Sequence, residues 1–249
     1  MLWLLNFILT AALALRMLQL RLHIWFPFFN AFLGLILLRD VALVSAVHEA
    51  RLYSWIWVST EVLVLILLTL STLEIYSRLL DGYPGIQSLG RWVTLGGLTL
   101  GIVMTFLTAG VGLDFESPQF VLTLVLTADR GVYLGLCSVI LLMSIFLLWY
   151  PVPTPRNFVV HSLLFAIYFL SKAFLIFVRT TRGNSIYAVV SNLHLVFGVV
   201  CLCAWLLLLR RESEDPQVTF GRHWNPDEET TLLRQLRAIN ASLFRLSRD

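Results

Sequence analysis

Seven times along this chain, a run of about 20 residues passes with few charges or none, and a helix of that length rises far enough to cross the hydrocarbon core of a bilayer. The runs extend from Leu2 to Leu20, Trp25 to Val47, Tyr53 to Tyr76, Trp92 to Leu113, Phe120 to Tyr150, Phe158 to Val178 and Ser185 to Leu209. With 58% hydrophobic and 13% charged residues, the chain has too little polar material to coat a soluble globule of its own size. The expected fold is therefore all-α: a polytopic membrane protein of seven transmembrane helices over residues 1–210, a linker over 211–224, and an amphipathic helix over 225–249.

The connections are short and rich in turn formers, as in Asp81-Gly82-Tyr83-Pro84-Gly85, Glu116-Ser117-Pro118, Pro151-Val152-Pro153-Thr154-Pro155 and Arg182-Gly183-Asn184. None is long enough to hold a folded domain. Ala12-Leu13-Ala14 has the look of a signal cleavage site, but no positive residue precedes the first apolar run, so that run is expected to stay as the first membrane helix.

Arginine and lysine near helix ends are retained on the cytoplasmic side. One face of the expected bundle collects Arg16, Arg21, Arg78, Arg91, Arg156, Arg210 and Arg211, whereas the other has Arg51, Arg179 and Arg182 with the acidic Asp114 and Glu116. This asymmetry predicts an outside N-terminus and a cytoplasmic tail. Gly97 and Gly101, within a helix that also carries Gly96, Gly110 and Gly112, form a small-xxx-small pair suited to a close helix crossing.

In the tail, Glu212 to Asp215 reads as a solvated linker, and the aromatics of Phe220-Gly221-Arg222-His223-Trp224 suit a membrane interface. Asn225-Pro226-Asp227-Glu228 combines a cap residue, proline at the first helical position and acidic residues in the first turn. Leu232, Leu236, Ile239, Leu243 and Leu246 then repeat at spacings of four and three, the seam of a two-heptad coiled coil. A seam of that length is marginal alone, so it is expected to dock on a partner protein, a second copy or the bundle.

Charge within the hydrocarbon costs a few kcal/mol or more per group, which makes each intramembrane ionisable residue informative. Arg39 lies eleven residues before Ala50 and Glu61 eleven after it, so an antiparallel hairpin turning near Ala50 brings both to one depth and predicts an ion pair, with Asp40 as a less aligned acceptor. The same construction about Arg182 sets Lys172 level with Asn192 and His194, and Asp129 and Arg130 fall at the outer boundary of their helix. Arg39, Asp40, Glu61, Asp129, Arg130, Lys172, Asn192 and His194 thus converge on the outer half of the bundle. They read either as a polar cavity for a small ligand, or as a structural ion pair with Lys172 and Arg130 snorkelling to headgroups. Glu74 and Arg78, four residues apart, are expected to form a surface pair, and His161 to be interfacial.

Several chemistries find no support. HExxH, GxSxG and Walker signatures are missing, and Cys137, Cys201 and Cys203 all lie within apolar runs as packing residues. His161 and His194 fall at opposite depths, which rules out shared haem ligation; no cofactor, metal or nucleic-acid partner is expected. A retinal protein needs its lysine in the last membrane helix, whereas Lys172, the only lysine, is in the sixth. Pro27-Phe28-Phe29 entering the second helix, Arg39 within it, Glu61 and Glu74 on the third and Tyr83-Pro84-Gly85 after it resemble an uncharacterised family of bacterial multi-pass membrane proteins; the resemblance covers mainly the first hundred residues, implies residence in a bacterial inner membrane and implies no activity. The expected role is a non-enzymatic receptor or sensor acting through a partner. A structural subunit of a larger membrane complex and a small-solute transporter or channel are the alternatives.

Overall fold

The computed structural model describes residues 1–80, 83–109, 120–150, 153–182, 187–209, 218–219 and 226–246. Its helices are α1 (Leu2–Gln19), α2 (Pro27–Ser45), α3 (Ala50–Leu79), α4 (Pro84–Ala109), α5 (Phe120–Trp149), α6 (Arg156–Arg182), α7 (Tyr187–Leu208) and α8 (Pro226–Leu246). A single 3-10 turn, Leu22–Ile24, separates α1 from α2 after Arg21 enters the left-handed region at φ 56°. Two-residue strands β1 (Pro153–Thr154) and β2 (Val218–Thr219) pair antiparallel and tie the tail to the α5–α6 connection. Gly110, Gly112, Asp114, Glu116, Arg210, Arg211, the Phe220–Trp224 stretch and the Asn225 cap lie outside the described residues, as do the side chains of Arg182, Asp227, Glu228 and Leu246.

Helices α1 to α7 are each long and apolar enough to cross a membrane. Their burial pattern is the reverse of a soluble protein's: Leu38, Trp92, Leu107, Leu163, Leu170 and Leu207 are exposed, while Glu61, Glu74, Asp129 and His161 are buried. The chain is a membrane-embedded, multi-pass helical bundle. Inside such helices hydroxyls need local partners, and Thr60, Thr69, Ser71, Thr72 and Thr94 each donate to the carbonyl four residues back.

Six helices close a ring in the order α1, α2, α3, α5, α6, α7, with α7 returning to α1. Helix α4 lies outside the ring against α5, and α8 lies against α4. The α4–α5 crossing is set by four glycines: a Cβ on Gly101 would sit 2.5 Å from the Gly131 carbonyl oxygen, and one on Gly135 would sit 2.9 Å from that of Gly97. The Gly97–Gly101 pair therefore meets a matching Gly131–Gly135 pair, and the two backbones approach with no side chain between them.

Helix α4 begins at Pro84, eight residues ahead of the expected Trp92. Tyr83-Pro84-Gly85 is a helix start and not only a turn, because proline at the first position lacks the N–H that a helix leaves unpaired there. Gly85 and Ile86 donate their backbone N–H groups to Asn240 Oδ1 on α8, at 2.7 and 3.2 Å. The side chain that caps α4 thus comes from the far end of the chain.

Along the expected leucine seam the four described side chains are not equivalent. Leu236 is fully buried, Leu243 packs against the core, Leu232 is half-buried, and Ile239 is 40% exposed. The contact line runs through Leu236, Asn240 and Leu243, because it faces α4 of the same chain across the flat surface left by Gly85.

Two further caps hold the same end of the ring. Glu74 of α3 accepts a hydrogen bond from the Phe28 backbone N–H at 3.2 Å, supplying the N-terminal cap of α2 that Phe26 cannot. Arg16 of α1 donates to the Leu209 carbonyl at the C-terminus of α7, at 3.2 Å. The expected Glu74–Arg78 surface pair does not form: Glu74 is 7% exposed, and Arg78 donates to the Ile24 carbonyl at 3.1 Å and lies over the Trp25 and Phe26 rings. Each serves a different backbone terminus.

Candidate functional site

Hairpin α2–α3 does what equal spacing from Ala50 requires. Arg39 Nη1 lies 2.6 Å from Glu61 Oε2, with both side chains largely withdrawn from the surface. The Arg39 guanidinium also lies over the Trp57 ring, 5.6 Å from its centroid, so an aromatic face on the next turn of α3 fixes its plane.

Around this pair lies a cavity of about 390 Å³. Its lining includes Arg39, Glu61, Asp129, Lys172 and His194, drawn from α2, α3, α5, α6 and α7. Tyr53 and Ser54 from the first turn of α3, Arg179 from the end of α6 and Ser191 from the start of α7 complete its polar wall, which places the mouth at the α2–α3 end of the ring. Trp57, Leu126, Leu175, Ile176 and Val190 form the apolar remainder. A neighbouring cavity of about 250 Å³ shares Arg39, Tyr53, Trp57, Lys172 and His194, and continues between α1, α2 and α7 past Asp40 and Asn6.

The charged walls are not equivalent. Asp129 is 3% exposed, its Oδ1 has no hydrogen-bond partner among the described residues, and its carboxyl faces Glu61 across the α3–α5 contact. The Lys172 ammonium sits over two rings, 5.6 Å from the Tyr133 centroid and 5.5 Å from that of Tyr168. Gly198 on α7 makes room for Asn6 of α1, whose Nδ2 would be 2.7 Å from a Cβ placed there.

Below the cavities the ring is filled by aromatics. Phe29 stands 5.5 Å from Phe165 and 5.3 Å from Trp205, and Phe165 continues to Phe169 at 5.3 Å. His161 belongs to this layer. It is fully buried, 4.6 Å from the Phe26 ring and 5.0 Å from the Phe29 ring, which corrects the expectation of an interfacial histidine. The α6 face that carries His161 also carries Phe165 and Phe169, and all three turn inward together.

Of the eight residues expected to converge, Arg39, Glu61, Asp129, Lys172 and His194 line the larger cavity and Asp40 the smaller one. Arg130 instead lies over the Phe177 ring, and Asn192 is exposed on α7 beside Ser191, which lines the larger cavity. Depth is set by residue count, but the side a residue faces is set by helix rotation, and neighbours on a helix point about 100° apart. Tyr53 and Trp57 were legible all the same: with Glu61 they repeat every four residues on α3, which is one helix face.

These features define a multi-pass helical membrane protein with a charged internal cavity at one end of its helix ring. No family model matches the chain, and neither does any curated protein or solved structure, so its own residues must carry the functional reading.

Proposed function

We propose that this protein is a receptor- or sensor-like bundle of the bacterial inner membrane, with its N-terminus outside and α8 on the cytoplasmic side, which binds a small polar ligand in the cavity and acts through a protein partner. One observation carries the reading: seven charged or titratable side chains from five helices line a single cavity at one end, above a layer of packed aromatics. The volume of about 390 Å³ falls at the lower end of small-molecule sites, which run from about 300 to 1,000 Å³. A site shared by five helices suits signalling, because a ligand that draws them together changes their relative positions at the far end, where α8 and the helix caps lie. A transporter needs a polar path through both halves of the bundle, and Phe29, Phe165 and Trp205 stand across that path.

The test is purification of the full chain in mild detergent followed by native mass spectrometry. A small molecule retained by the isolated protein, and lost from Lys172→Met, is the expected result. A stoichiometric foreign subunit with no small molecule would replace this reading with an accessory role. Orientation is tested separately: a reporter active only outside the cytoplasm should be silent when fused after Asp249 and active in the loop near Glu116, and the opposite pattern would reverse the assignment.

A further inference from the structure

We propose that the ligand of this cavity is a small zwitterion, held with its cationic end at Asp129 and its anionic end at Lys172. The inference rests on the ligand-binding reading above and narrows it to one chemical class. The Arg39–Glu61 pair, closed at 2.6 Å, answers its own charges, and Arg179 has an interaction of its own, which leaves Asp129 and Lys172 as the charged groups in the larger cavity to be matched. Asp129 presents a buried oxygen without a partner, and no basic nitrogen of the described residues lies within 4 Å of its carboxyl. Its foremost charged neighbour is another carboxyl, Glu61, while Lys172 and Arg39 attract it only from beyond 4 Å, so a positive group arriving at the bare oxygen answers a carboxyl that no cation of the wall reaches.

Lys172 is the complement. It rests on the Tyr133 and Tyr168 rings, and no carboxylate of the described residues lies within 4 Å of its nitrogen. Aromatic faces hold an ammonium in place without neutralising it, so it is available to an anionic group. A simple anion would leave Asp129 unanswered beside Glu61, and a simple cation would leave Lys172 unanswered in the same wall. A molecule carrying both charges satisfies both ends, while Trp57, Leu126, Leu175, Ile176 and Val190 accommodate an apolar body between or beside them. Two sources share this chemistry: a free amino acid, and the ethanolamine phosphate headgroup of a lipid.

Thermal unfolding of the full chain in mild detergent separates these cases. The free probes are leucine, its deaminated counterpart isocaproate and its decarboxylated counterpart isoamylamine. The lipid probes, added to the micelle, are phosphatidylethanolamine and phosphatidic acid with the same acyl chains. Protection by leucine with none from isocaproate or isoamylamine assigns a free zwitterion; protection by phosphatidylethanolamine but not phosphatidic acid assigns the headgroup. Asp129→Asn should then weaken the zwitterion about ten- to a hundredfold, the effect of losing one charged hydrogen bond, and bring its affinity down to that of the matching anion. If either single-charge probe protects as well as its zwitterion, or if no zwitterion protects, the inference is overturned. The receptor reading itself survives the first of these results, and survives the second if a retained small molecule is found by mass spectrometry. Should Asp129→Asn fail to fold, discrimination among the probes by the unmodified protein decides the matter alone.

Discussion

Arg39 of α2 and Glu61 of α3 meet at 2.6 Å, eleven residues to either side of Ala50, and the cavity of about 390 Å³ is built around that contact. The pair joins the two arms of the hairpin and answers its own charges within that wall.

Glu61→Gln leaves a guanidinium in a low-dielectric bundle without its counter-charge, and breaking such a pair typically costs about 3–5 kcal/mol. Equilibrium unfolding in mixed micelles should show a loss of this order. Arg39→Met combined with Glu61→Leu removes both charges and should recover most of it; a double variant no more stable than Glu61→Gln would show that the two charges do not act as a unit.

Replacing Glu74 tests the cap that α3 lends to α2. Glu74→Ala removes the acceptor for the Phe28 N–H from a buried site, and a donor left unsatisfied there costs about 1–3 kcal/mol. Destabilisation in that range is expected, with hydrogen exchange increasing first at the start of α2. Arg78→Ala, which acts on the Ile24 carbonyl, should leave exchange at Phe28 close to that of the unmodified protein.

The glycine crossing carries its own internal control. Gly101→Ala places a methyl 2.5 Å from the Gly131 oxygen and must push α4 from α5, for which overpacking costs of about 1–3 kcal/mol are typical. Gly96→Ala, on the same helix, meets nothing within 4 Å and should be neutral or slightly stabilising through helix propensity. Equal effects of the two substitutions would remove the close-approach explanation.

Docking of α8 should depend on a position with no side chain at all. A Cβ on Gly85 would collide with the Asn240 carbonyl oxygen and the Phe244 backbone nitrogen, and neither can rotate away. Gly85→Ala is expected to release α8, seen as faster proteolysis between Thr230 and Arg245, with the membrane helices still folded. Asn240→Ala, which removes the acceptor for two N–H groups of α4, should give a weaker form of the same change.

Much of this architecture was legible in the residues. Length and apolarity alone determine seven membrane helices, because an uninterrupted run of that size has no other way to satisfy its backbone in lipid. Equal spacing about a tight turn determines the depth of Arg39 and Glu61 and their pairing, since rise per residue is constant along a helix. What only the tertiary structure decided was rotation and partnership: that Asp129 faces the cavity while Arg130 lies over Phe177, that Glu74 caps α2 and leaves Arg78 aside, that His161 joins Phe29 and Trp205 in the aromatic layer, and that Asn240 reaches back to Gly85. Each depends on how neighbouring helices turn about their axes. In helices apolar on nearly every side, no polar stripe marks the inward face, so that angle is set by packing between helices far apart in the chain.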